Sequence, residues 1–302
     1  MAASPVNETC HHHFRSNSFP TRAHPLISEF NDQLSRLRGA ETTSSSSTSL
    51  FQQLIGLQDL HDCVDNLLLL PCTQDLAQEQ HHKWFNELLD GSLRLLDVSE
   101  FARDALIQTK ECTREFQSTL CRRRGSKMEL TSEIEKYLAS RNVIKKATQK
   151  ALKSMQTKLY SKKNEDLAMV SMLKELEVVT VMVFESLLNF IAGTKLQSKS
   201  SGCWNKVAIK IKWLVCGFQI GAPKKKACEG KETDANEFDK VDVALQSLIS
   251  HKTSKSDYSI HIQNVQNWMR KLESSIEDVE EVLEGFSRRL VKTRVSFLNI
   301  NL

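Results

Sequence analysis

Beyond Pro71 the chain has a single proline, Pro223, and it holds only 10 glycines in 302 residues. Residues that forbid or terminate helical backbone are nearly missing from most of the molecule, which excludes collagenous and porin-like architectures. The 8 cysteines, at positions 10, 63, 72, 112, 121, 203, 216 and 228, show no C-x-x-C spacing, and no apolar secretory segment opens the chain. Neither a zinc module nor a disulfide framework is expected; reduced thiols in a cytosolic protein are the plain reading. Long apolar runs are missing as well. Val178 to Thr194, the most apolar stretch, carries Glu185 at its centre and falls short of the roughly 20 residues that span a bilayer, so no integral membrane segment is expected. G-x-G-x-x-G, P-loop, H-E-x-x-H and G-x-S-x-G signatures do not occur. The expectation is therefore a protein that is not an enzyme, with no catalytic residue, no cofactor and no metal site to assign.

What the chain does contain is helical periodicity. Leu26, Ile27, Phe30, Leu34 and Leu37 outline a short helix that docks on the body or on a partner. The tract TTSSSSTS over 42–49 follows, read as a flexible linker. Leu50, Leu54, Leu57, Leu60, Val64, Leu67 and Leu68 form a stripe that Pro71 closes. A second stripe runs through Leu76, Trp84, Leu88, Leu89, Leu93, Leu96, Phe101, Leu106, Phe116 and Leu120, with Gly91 either kinking one long helix or separating two. After Thr131 come Ile134, Leu138, Ile144, Ala151, Met155 and Leu159, on a helix whose outer face is nearly all lysine. Leu167 to Ile191 is apolar almost all round, as a central helix is, and its β-branched run Val178–Val183 has no partner strand. Trp204 to Phe218 is a lysine-edged helix, and Phe238 to Leu248 a shorter one. Val265, Met269, Leu272, Ile276, Val279, Leu283, Phe286 and Leu290 alternate spacings of four and three, a heptad seam within a helix expected from Ile260 to Leu298. The fold class is all-α: an elongated antiparallel helical bundle over 50–302, with a long C-terminal coiled-coil-like helix, behind a disordered N-terminal segment over 1–49.

Charge is distributed in blocks. Residues 122–163 carry +10, thirteen Lys and Arg against three acids, and residues 195–231 carry +8, nine against one. Their first expected partners are the acidic helices of the same molecule; anionic lipid or an acidic protein are the others. Arg122, Arg123 and Arg124, with Ser126 beside them, and Lys224, Lys225 and Lys226 are the densest basic runs. Nucleic acid is not an expected partner, because only 3 tyrosines are present to stack on bases. Cys10 with His11, His12 and His13 has no distant ligand to close a metal site, and His81 and His82 diverge on a helix. Arg15, Ser18 and Pro20, in the string RSNSFP, match the pattern that 14-3-3 proteins read once the serine is phosphorylated. The one-acid, serine-bearing stretch from Met1 to Pro25 also has some transit-peptide character, against which Pro5, Pro20 and Pro25 speak. A cytoplasmic, membrane-peripheral, nuclear or plastid location stays open.

Eight strings make the chain similar to a known family: RSNSFPTRAHPL (15–26), DNLLLLP (65–71), ELLDGSLRLLD (87–97), QSTLCRRRG (117–125), KYLASR (136–141), FESLLNFIAG (184–193), NEFDKVDVAL (236–245) and RRLVKTRVSFLNI (288–300). In this order they resemble the plant-specific family catalogued as domain of unknown function 241 and associated with BYPASS-type proteins. The resemblance implies a plant protein linked to root and shoot development and carries no catalytic residues across. The functional expectation is a non-catalytic interaction or regulatory protein of plant growth; the alternative is a peripheral membrane protein that binds anionic lipid through basic helical faces.

Overall fold

The computed structural model describes residues 24–40, 46–70, 82–122, 127–158, 168–194, 236–250 and 255–300. Among them there are seven helices and no strand: α1 (Pro25–Ala40), α2 (Ser47–Leu68), α3 (His82–Arg122), α4 (Lys127–Lys158), α5 (Ala168–Ala192), α6 (Glu237–Ser250) and α7 (Lys255–Ile300). With 46 residues, α7 is about 69 Å long at 1.5 Å per residue.

Helix α2 shows how local chemistry sets its limits. Ser46 has extended backbone and accepts from the Ser49 amide at 3.3 Å, so it caps the helix and the expected linker ends inside the serine tract. At the other end Leu69 donates to the Asp65 carbonyl and Leu70 to that of Leu67, just before Pro71.

Helices α2, α3, α5 and α7 form a square. Both α5 and α7 lie along α2 and α3, and they face each other across the diagonal, where the Phe184 and Phe286 rings meet at 5.6 Å between centroids. Contacts of Ser99 with Ser287 and of Arg114 with Glu277 run α3 antiparallel to α7. Those of Ser47 with Ser275 and Asp62 with Arg289 run α2 parallel to it. Helix α4 covers α3 and α5, while α6 folds back antiparallel on the first half of α7. Helix α1 docks on the body: Phe30, Leu34 and Leu37 are buried against α2, and the Cys63 thiol donates to the Leu26 carbonyl at 3.5 Å. The heptad seam of α7 is buried from Val265 to Leu290, as are Val170, Leu173, Val183 and Leu187 of α5.

Two details depart from the periodicity reading, at Leu93 and at the start of α4, and one resolves an alternative that it left open. Helix α3 runs unbroken through Gly91, where a Cβ would lie 2.5 Å from Glu177 Oε1, so the glycine admits the Glu177 side chain, paired with Arg94, instead of breaking the helix. Leu93 is 47% exposed and Leu95 is buried in its place. Helix α4 starts at Lys127, before Thr131.

Candidate functional site

Among the described residues, two buried polar clusters and one open groove stand out from the apolar packing, and they differ in access. The first lies inside the α2, α3, α5 and α7 square. His61 is buried among Thr180, Thr293 and the Phe286 ring. The Thr180 hydroxyl donates to the Leu176 carbonyl at 2.7 Å, so it accepts from His61 Nε2–H at 3.1 Å, which leaves Nδ1 as the acceptor facing Thr293 at 3.4 Å. Burial lowers the His61 pKa to about 3, so the imidazole is neutral at ordinary pH. Burial also pushes the carboxyls of Asp65 and Glu177 up, opposed at Asp65 by Thr293 and Lys292 and at Glu177 by Arg94. These perturbed groups look like the beginnings of an active site, but the cavity between His61, Ser92, Glu177 and Thr293 is only about 30 Å3. That is about the share of liquid volume of one water, against several hundred Å3 for a typical ligand pocket.

The second constellation joins α4, α5 and α6. Arg141 is 1% exposed, donates to the Ile191 carbonyl at 3.0 Å and lies over the Phe238 ring at 4.6 Å. Its Nε is 3.6 Å from Asp242 Oδ1, while Lys145 Nζ approaches the other carboxylate oxygen at 2.6 Å. Helix α5 ends here in a left-handed turn. Gly193 has φ 65°, its amide donates to the Phe190 carbonyl, and the Thr194 amide to that of Asn189. Asn236 bridges to the next helix: its amide group donates to the Phe190 carbonyl at 2.7 Å, and its side-chain oxygen accepts from the Phe238 amide at 2.9 Å. The cluster ties the last turn of α5 to the first turn of α6, and α4 holds both.

That anchoring fixes the third feature, an open groove between α6 and the first half of α7. Its wider part, about 490 Å3, is lined by Asp239, Lys240, Val243, Ala244 and Ser247 from α6 and by His261, Asn264 and Trp268 from α7. A further 330 Å3 continues past Trp268 between Glu237 of α6 and Lys271, Ser274 and Ser275 of α7. The ammonium groups of Lys240 and Lys271 lie over the Trp268 ring, 5.0 and 4.7 Å from its centroid. Neither lysine makes an ion pair with a described residue.

Of the site residues expected from sequence, Arg122 is the exposed last residue of α3. Arg15, Ser18, Pro20, Arg123, Arg124, Ser126, Lys224, Lys225 and Lys226 lie outside the described residues, as do Cys10 with its histidines and the helix expected from Trp204 to Phe218. The described part of the first basic block meets acids within the molecule only in part. Lys136 pairs with Glu115, and Arg141 and Lys145 with Asp242, whereas Lys146, Lys150 and Lys153 stand exposed along α4 without an ion pair to any described residue. Among the described residues no group of His, Cys, Asp and Glu could hold a metal ion, and no helix is long and apolar enough to cross a membrane.

Reading apolar stripes missed Arg141, Asp242 and the groove. The signals for them were the gap between Leu138 and Ile144, which Arg141 fills at an inward position, and a tryptophan, Trp268, placed off the heptad seam. The strings that carry the family resemblance converge on the two buried clusters. KYLASR, FESLLNFIAG and NEFDKVDVAL bring Arg141, Gly193, Asn236 and Asp242 together, while DNLLLLP and RRLVKTRVSFLNI bring Asp65 beside Lys292. No curated protein and no solved structure matches the chain. The family model described as Protein BPS1 matches residues 53–300, which takes in α2 from its second turn to the end of α7, and the chain belongs to that family.

Proposed function

We propose that this chain is a non-catalytic interaction protein regulating plant growth, in root and shoot development as the family resemblance directs. One observation carries this reading: among the described residues, buried His61 and half-buried Glu177 border a cavity of only about 30 Å3, while a long open groove runs between two helices. A groove of that form suits a partner helix better than a reacting small molecule. Phosphorylation of Ser18, read by a 14-3-3 protein through Arg15 and Pro20, supplies regulation. A phosphate adds about −1.5 to −2 charge and three acceptor oxygens next to Arg15. Proximity labelling in plant cells, followed by reconstitution of each labelled protein with the full chain, tests the interaction reading. A stoichiometric direct complex is expected; failure of every labelled protein to bind directly would remove the reading.

A second reading, peripheral attachment to anionic membrane, is favoured by the exposed face of α4. Val143, Lys146, Lys150 and Lys153 share it at helical spacing, and Val143 is 64% exposed. Each lysine near an anionic surface contributes about 1 kcal/mol. Arg122 to Arg124 and Lys224 to Lys226 would add to that attraction. Flotation with anionic but not neutral vesicles, lost in high salt, is the expected result under this reading, and no flotation returns the face to plain solvation.

A further inference from the structure

We propose that the groove between α6 and α7 is the docking site for an acidic amphipathic helix of a partner protein. The proposal rests on the reading of the chain as an interaction protein and names what one of its surfaces takes. The groove follows α7 from His261 to Ser275, about 21 Å at 1.5 Å per residue, which accommodates about four turns of helix. Its two walls are already fixed from behind. Phe238, Val241, Leu245 and Leu248 of α6 are buried on the side away from the groove, and Asp242 is held by Arg141 and Lys145. The walls therefore need no rearrangement to receive a ligand. Their groove side offers apolar surface in Val243, 57% exposed, Ala244 and the half-buried Trp268.

Charge selects the occupant. Two acids, Glu237 and Asp239, also line the groove, but they sit in the first turn of α6, where the positive end of the helix dipole offsets their charge, and Glu237 also accepts from the Ser47 hydroxyl at 2.9 Å. The cations are differently placed. Lys240 and Lys271 flank the middle of the groove with only the Trp268 ring as a partner among the described residues. A helix laying leucine or phenylalanine on Val243 and Trp268, with glutamates or aspartates along its flank, satisfies both ammonium groups and covers the ring. A flat anionic membrane fits less well, because the site is concave.

A display library of helical peptides about 18 residues long, selected on the full chain, tests the proposal. Enriched peptides are expected to carry an apolar face flanked by Glu or Asp. Trp268→Ala, Val243→Glu and the double variant Lys240→Glu/Lys271→Glu should each weaken binding at least about tenfold; Val243→Glu and the double lysine variant should leave circular dichroism and melting unchanged, whereas Trp268→Ala also removes packing against the core. Replacing the peptide's acids by lysine should restore binding to the double charge variant only. Enrichment of basic or uncharged peptides, no enrichment, or equal binding by all variants overturns the proposal. Anionic-vesicle binding or self-association of the chain that is lost in the same variants overturns it too, by assigning the groove to a different occupant. If a partner found by proximity labelling binds all these variants with full affinity, the groove proposal fails while the interaction reading stands.

Discussion

Helix α7 runs through two regions that treat it differently. From Ile276 onward it is enclosed by α2 and α3 with α5 across the diagonal, and the polar groups there, His61, Thr180 and Thr293, meet inside the core. Before Ile276 the far ends of α3 and α2 still reach it, Arg114 pairing with Glu273 and Ser47 meeting Ser275, but α6 folds over another side, and between α6 and α7 lies the groove around Trp268. The seam residues are buried in both halves, Val265 and Met269 as fully as Leu283 and Phe286. A continuous seam therefore does not distinguish a region that is only structural from one that presents a surface. What distinguishes them is the open groove that α6 leaves beside the first half of the helix.

The comparison breaks most severely at the junction that holds α6. Asp242 is 4% exposed and faces two cations, so Asp242→Ala leaves Arg141 and Lys145 without their counter-charge. A loss of about 3–5 kcal/mol in urea unfolding is expected. A loss under about 1 kcal/mol would mean that the cluster does not anchor α6. At the enclosed end Leu187→Ala should cost about 2–5 kcal/mol, as removal of a fully buried leucine does, with a near-zero loss marking α5 as a surface instead.

The enclosed end also has an acid signature. His61 is neutral in the folded protein down to about pH 3, whereas in the unfolded chain it takes up a proton below its ordinary 6.5. Its contribution to stability is thus complete above pH 6.5 and is lost as pH falls toward 3. Asp65 and Glu177, raised by burial, act in the opposite sense: their contribution is present at low pH and is lost as pH rises through their raised values. His61→Gln isolates the histidine. The stability difference between parent and variant should shrink as pH falls from 6.5 to 3, and a constant difference would contradict a buried neutral imidazole. The smallest stability effect belongs to the groove, where Lys240→Glu with Lys271→Glu should shift stability by no more than about 0.5 kcal/mol. Calorimetry showing a large loss would make the lysines structural.

Most of the fold was legible because apolar side chains at helical spacing report burial directly. Leu50 to Leu68 and Val265 to Leu290 lie as their spacing indicates, and Phe30, Leu34 and Leu37 dock as their stripe suggests. Leu93 was misread because positions 93, 95 and 96 all suit a helical stripe, and only the position of α5 decides which of them turns inward. Gly91 was ambiguous for a related reason, since the group that approaches it, Glu177, is 86 residues away in sequence. The candidate site was far less legible. Arg141 reads as one cation in a lysine-rich helix until Asp242, the Ile191 carbonyl and the Phe238 ring are brought around it. The groove exists only because α6 folds back over part of α7, a matter of docking that periodicity does not encode.

The contrast between an enclosed and an open end is tested most directly by placing a photo-reactive amino acid at one of two exposed apolar positions of the full chain: Val243 in the groove or Leu93 on α3 at the enclosed end. With an acidic amphipathic helical peptide bound, irradiation should cross-link the peptide from Val243 and not from Leu93. Cross-linking from Leu93 alone, or equally from both, would contradict the account.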